Sequence, residues 1–146
     1  MMRVGARRHV IYDALGVIRW KEHMVRILLA EDDRVMRDHL TRALERAGYE
    51  VDAVESGLDA VGLLEQADYD LLLTDIVMPG MDGPTMVRAI RLREPTLPVL
   101  FMSGYAEEQL RESINIEDVS FLPKPFSVQQ LIEAVGRIVA TNAEEK

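Results

Sequence analysis

The sequence predicts an α/β fold in which a five-stranded parallel sheet is covered by helices on both faces. Short apolar runs of strand length alternate with longer segments of helical period. Most of the runs are continuously apolar rather than alternating, as strands buried on both faces are. The length of 146 residues holds one domain of ordinary size, and five βα units joined by right-handed crossovers need about 120 of them.

The five strands are expected at residues 25–30, 50–54, 70–74, 97–102 and 119–122, several of them rich in Val, Leu and Ile. Between the first two, Met36, Leu40, Ala43, Leu44 and Ala47 recur at helical spacing, Asp33 is placed to cap the start, and Gly48 follows as the stop. Ser56 with Asp59 forms a capping-box pattern ahead of a helix over 58–67. Met86, Val87 and Ile90 mark a third helix from about Gly83. Two more follow Gly104 and Phe126, the last built on Leu131, Ile132, Val135, Ile138 and Val139, with a polar tail at 142–146.

Composition narrows the function. With 48% hydrophobic residues the chain can bury a core, which excludes disorder throughout. Seventeen Lys and Arg against twenty-five Asp and Glu give a net charge of -8, the wrong sign for a nucleic-acid or anionic-membrane binder. The absence of cysteine removes disulfides, thiolate metal sites and cysteine nucleophiles, and fits the reducing cytoplasm. Residues 1–23 stand apart: Arg3, Arg7, Arg8, Arg19 and Lys21 face only Asp13 and Glu22, so the rest is more acidic still. The apolar stretch 10–20 is interrupted by Asp13 and Arg19, lacks a cleavage site and is too short to span a bilayer. Met24 lies directly before the first strand pattern. The extension therefore reads either as upstream sequence from an over-early start or as an amphipathic docking arm, with the folded domain at 24–141.

In open parallel sheets, ligands bind beyond the carboxyl ends of the strands. There the residues are unusually polar: Glu31, Asp32 and Asp33 after the first strand, Asp75 after the third, Ser103 and Gly104 after the fourth, Lys124 and Pro125 after the fifth. Each alone has an ordinary structural reading, as a helix cap, a turn residue or a solvated lysine. Together they share one edge, where like-charged carboxylates repel unless a cation is bound. Oxygen-only ligands favour Mg2+. Residues 30–34 are acidic where a glycine-rich phosphate loop would stand, which disfavours a nucleotide enzyme. An aspartate beside Mg2+ can attack a phosphoryl group, and Asp75, central in the cluster, is the expected nucleophile.

Four fragments then match a known family: ILLAEDD at 27–33, LLLTDIVMPGMDG at 71–83, MSGY at 102–105 and LPKPF at 122–126. The chain resembles the response regulator receiver domains of bacterial two-component and phosphorelay systems. The resemblance implies a flavodoxin-like (CheY-like) three-layer sandwich with strand order 2-1-3-4-5 and five helices. It also implies that Asp75 is the phosphoacceptor and that Asp32 and Asp33, with Asp75 and the backbone carbonyl of Val77, hold Mg2+. Ser103 becomes the switch hydroxyl, Lys124 the partner of the phosphoryl group, and Phe121 the switch aromatic where tyrosine is common. The Lys124–Pro125 bond is implied to be cis, and Gly104 leaves the approach for a donor histidine open.

The implied partners are a histidine kinase or histidine phosphotransferase, and a downstream protein docked on the face of the fourth helix, fifth strand and fifth helix. The chain is expected as a monomer or weak dimer, with no nucleic-acid or membrane partner. Beyond Phe126 only one helix and the tail fit, which leaves no room for an output module in the sequence at hand. The fragments resemble single-domain regulators typified by CpdR, whose family role is a phosphorylation-controlled adaptor for the ClpXP protease. A phosphorelay shuttle, similar to the terminal receivers of hybrid kinases, is the second reading. A Mg2+-dependent phosphatase of the haloacid dehalogenase type is the remote one, because its Asp-x-Asp pair after strand one is missing.

Overall fold

The computed structural model describes residues 6–12, 18–104 and 113–145. Its elements run β1 (Ala6–Tyr12), β2 (Ile18–Met24), β3 (Arg26–Ala30), α1 (Arg34–Arg46), β4 (Glu50–Val54), α2 (Gly57–Leu64), β5 (Leu71–Asp75), α3 (Gly83–Arg91), β6 (Val99–Ser103), β7 (Val119–Pro123) and α4 (Val128–Glu145). Strands β3 to β7 form one sheet in the order β4-β3-β5-β6-β7, every neighbouring pair parallel. Counted among these five alone, that is the expected 2-1-3-4-5 order.

Residues of alternate parity on each strand enter opposite cores, as the pleat requires. Ile27, Leu29, Leu71, Leu73, Leu100, Met102 and Leu122 pack with Leu40 and Leu44 of α1 and with Leu131, Val135 and Val139 of α4. On the other face Leu28, Leu72, Val99, Phe101 and Val119 meet Ala60 of α2 and Met86, Val87 and Ile90 of α3. Leu71, Leu72 and Leu73 are all fully buried, so β5 is the centre of both cores. Truncating one of them to alanine costs roughly 2–5 kcal/mol.

Local chemistry sets the helix starts. The carboxylate of Asp33 accepts from the Met36 amide at 3.1 Å, and the hydroxyl of Ser56 from the Asp59 amide at 3.1 Å, both as the sequence predicts. Asp82 does the same for α3, accepting from Thr85 at 2.8 Å, with Pro84 in the first turn. Gly48, with φ of 100°, terminates α1 in the left-handed region that glycine enters without strain. At the amino ends of the strands Arg26 pairs with Asp52 at 3.0 Å and lies over the Tyr69 ring, whose hydroxyl donates to Asp52 at 2.6 Å. This cluster ties β3 to β4 at the edge opposite the acidic residues.

Two features depart from the sequence expectation, and one expected element lies outside the described residues. Residues 6–12 and 18–24 form an antiparallel pair, Ala6 opposite Met24 through Tyr12 opposite Ile18, as a sheet of their own. The signal was the alternation of Ile18 and Trp20 with Arg19 and Lys21, a period of two hidden inside a stretch read for its overall hydrophobicity. Helix α4 continues to Glu145, through most of the residues read as a polar tail. The helix predicted after Gly104 falls on residues 105–112, outside the described residues, so four helices are named where five were expected. Among the described residues no helix is long and apolar enough to cross a membrane.

Candidate functional site

Strand β5 ends on Asp75, which is buried, and Lys124 reaches it from the loop after β7, its Nζ donating to Asp75 Oδ1 at 2.6 Å. The pair is separated by 49 residues in sequence and closed by the parallel register of β5, β6 and β7. The backbone is held around it. Ile76 N–H donates to the Met102 carbonyl, the Thr74 hydroxyl to the Asp75 carbonyl, and Lys124 N–H to the Ser103 carbonyl. The Lys124–Pro125 peptide bond is cis.

Carboxylate oxygens of Glu31, Asp32 and Asp75 lie within 4.8 Å of one another. Glu31 is 2% exposed, whereas Asp32 is open to solvent. Asp33, paired with Asp32 in the sequence reading, is not in this group: its side chain is turned to capping α1. The reason is register. Ile27 lies opposite Leu71 and Leu29 opposite Leu73, so two residues further on Glu31 comes beside Asp75 on the same face. By Asp33 the chain has already turned into the helix. Parity along 27, 29 and 31 against 71, 73 and 75 was the signal that could have found Glu31.

Electrostatics follow from that crowding. Burial, the hydrogen bond to Asp75 and the Asp75 charge push Glu31 up to about 8, against the opposing pulls of the Asp33 amide and Lys124. Burial lowers Lys124, but the hydrogen bond and charge of Asp75, with Glu31 and Asp32, outweigh it and the net shift is upward. One lysine therefore does not neutralise three carboxylates, and the crowding shifts Glu31 toward its protonated form. A hard divalent cation among these oxygens would offset the same excess, so the donor set fits Mg2+.

The other expected residues lie on the neighbouring strands and loops. Ser103 is buried at the end of β6, and Gly104 is exposed just beyond it. Val77, two residues past Asp75, is 70% exposed in the loop before α3. Phe121 is half-buried on β7 and stacks on the buried Phe101, ring centroids 5.7 Å apart. Gly83 was not singled out as a site residue: its Cα packs against the Asp75 carbonyl and the Phe101 ring, leaving no room for a Cβ.

A doubly wound parallel sheet with a buried aspartate–lysine pair and flanking carboxylates at its carboxyl edge is the arrangement of a receiver-type α/β module. The chain belongs to the response regulator receiver domain family, whose model matches residues 27–136. It is 41% identical over 117 residues to the response regulator receiver protein CpdR of Brucella abortus, covering 80% of this chain and 98% of that protein. It is 39% identical over 116 residues to the sensor kinase CckA of the same organism, but spans only 12% of that kinase's length. Among solved structures, the chemotaxis response regulator CheY4 of Vibrio cholerae superposes with a TM-score of 0.75 at 27% identity, covering 80% of this chain and 99% of that one. The receiver domain of the hybrid histidine kinase CckA gives 0.67 at 37% identity, covering 78% and 98%.

Proposed function

We propose that Asp75 accepts a phosphoryl group from a phosphohistidine donor and that its phosphorylation switches the binding of a partner protein. The observation that carries this is the buried Asp75 carboxylate held at 2.6 Å by Lys124 beside two further carboxylates. In the transfer an Asp75 carboxylate oxygen bonds to phosphorus as the P–N bond breaks, and the imidazole leaves with the bonding pair, taking a proton from solvent. Lys124 offers its ammonium to the incoming phosphoryl oxygens, and Asp75 is already desolvated and oriented. Glu31, Asp32 and Asp75, with the Val77 carbonyl, are the ligands we assign to Mg2+, which when bound neutralises charge on the phosphoryl oxygens. The chain is thus an acceptor rather than a catalyst of turnover.

In this reading Ser103, at the end of β6, meets the new phosphoryl group, and Phe121, three residues before Lys124, is the aromatic that reports it. The output surface in this reading includes β7 and α4, and the partner binds there in the cytoplasm. Similarity over 98% of CpdR favours an adaptor of that type, controlling regulated proteolysis, over a relay shuttle. The test is incubation with acetyl phosphate and Mg2+ followed by intact mass analysis. The wild type gains one phosphoryl group that persists, and Asp75→Asn gains none. Stoichiometric labelling of Asp75→Asn overturns the assignment.

A further inference from the structure

Arg37, in the second turn of α1, reaches back over the turn that carries the acidic residues. Its Nη1 donates to the Glu31 carbonyl at 2.9 Å and to the Asp32 carbonyl at 3.4 Å. Its own amide donates to the Asp33 carbonyl at 2.8 Å. Three consecutive carbonyls, those of residues 31, 32 and 33, are thus bound by one residue. The side chains of the same turn, the Glu31 and Asp32 carboxylates, converge with Asp75. The turn is tied as well by the Asp33 amide, which donates to Glu31 Oε2 at 3.2 Å, by the Glu31 amide, which donates to the Val54 carbonyl at 3.0 Å, and by the Asp33 cap on Met36.

We infer that Arg37 is a positioning residue for the cation site: it fixes the β3–α1 turn so that the Glu31 and Asp32 carboxylates face Asp75. This rests on the reading of these carboxylates as Mg2+ ligands. Among the described residues the guanidinium bonds to no carboxylate oxygen; it acts through two backbone carbonyls. Both bonds come from the one Nη1, whose two hydrogens are fixed in the guanidinium plane, whereas a lysine ammonium on a flexible stem holds one geometry less well. Mg2+ amplifies the consequence, since it requires near-octahedral placement of its ligands, whereas Ca2+ tolerates looser geometry.

Charge and positioning predict opposite signs here, which makes the inference sharp. Removing a positive charge near a cation site strengthens cation binding if electrostatics alone operates. Losing a residue that orients the ligands weakens it, by about tenfold on the scale of outer-shell partners. The experiment is calorimetric titration of the full-length chain with MgCl2 and, separately, CaCl2, for wild type, Arg37→Ala, Arg37→Lys and the control Arg42→Ala on the exposed side of α1. Melting temperatures establish that each variant is folded at the titration temperature.

Arg37→Ala is expected to bind Mg2+ about tenfold more weakly, with a smaller loss for Ca2+. Arg37→Lys is expected to fall between, and Arg42→Ala to match wild type. Mg2+ affinity that is unchanged or raised in Arg37→Ala, or equal losses for both ions, overturns the positioning role. If Arg37→Ala is unfolded, Arg37→Lys decides by the same comparison of Mg2+ with Ca2+. Failure of the wild type itself to bind Mg2+ overturns instead the reading on which the inference rests.

Discussion

Asp75 and Gly83 meet backbone to backbone: the Asp75 carbonyl fills the place where a Cβ on residue 83 would stand, while Gly83 N–H donates to the Ile76 carbonyl at 2.9 Å. The first residue of α3 is thereby pressed against the strand end that carries the acceptor. Gly83→Ala must push α3 or the Asp75 backbone aside. The expected cost is roughly 1–3 kcal/mol, the range for overpacking a close contact. Chemical denaturation of wild type and variant measures it, and Gly62→Ala, where a Cβ meets open space, should show no such loss.

The two acidic residues flanking Asp32 are expected to behave differently. Glu31→Ala removes a buried carboxylate that faces Asp75 and should weaken Mg2+ binding by about tenfold. Asp33→Ala removes a helix cap and should lower stability by about 1 kcal/mol with little change in Mg2+ affinity. Titration calorimetry beside thermal melts separates the two effects. The sequence alone ranks these residues the other way, since Asp33 belongs to the acidic pair in the resemblance and Glu31 reads as its exposed neighbour.

The elevated Glu31 gives the site a pH dependence with a definite sign. Its folded value, about 8, lies above the ordinary 4.5, so its contribution to the metal-free fold is fully present below about 4.5 and is lost as pH rises through about 8. The cation competes with the same proton. Mg2+ binding near pH 7 should therefore release a proton, seen as a dependence of the calorimetric heat on buffer ionisation enthalpy, and the release should vanish above about pH 9. Glu31→Gln should abolish it at every pH.

Val77 bears on the lifetime of the phosphorylated state. Hydrolysis of an aspartyl phosphate needs a water in line with phosphorus, and a polar side chain two residues past the acceptor is placed to orient one. Val77, 70% exposed, offers no hydrogen bond, so loss of the phosphoryl group should be slow. Val77→Asn should shorten the lifetime about tenfold, the effect of one orienting hydrogen bond. Time-resolved mass analysis after removal of the phosphodonor reads the decay.

Much of the architecture was legible because hydrophobic burial writes a strong periodic signal. The five parallel strands, the caps at Asp33 and Ser56 and the start of α3 at Gly83 all follow from spacing and capping chemistry. Asp75 and Lys124 were legible as strand-end residues, although only the fold shows the hydrogen bond between them. Glu31 was not, because burial of a charged residue is decided by the neighbouring strand's register rather than by its own type. Gly83 was read as a helix start, and its closeness to the Asp75 carbonyl is a tertiary fact with no local trace. The strands β1 and β2 were missed because basic residues interrupt their apolar positions.

The order β4-β3-β5-β6-β7 leaves two open borders, and the chain treats them differently. On β4 the exposed Glu50 and half-buried Asp52 are charged side chains paired with Arg26 of β3, which an incoming strand would have to desolvate. On β7 the device is proline: the strand ends on Pro123, with Pro125 two further on, and neither has an amide for an incoming chain to bond. A sheet whose middle strands are among the most apolar segments of the molecule is thus shielded at its margins from growing by addition of further copies. Concentrated solutions of the folded protein should accordingly resist fibrillar aggregation, and neutralising Glu50 and Asp52 together should erode that resistance.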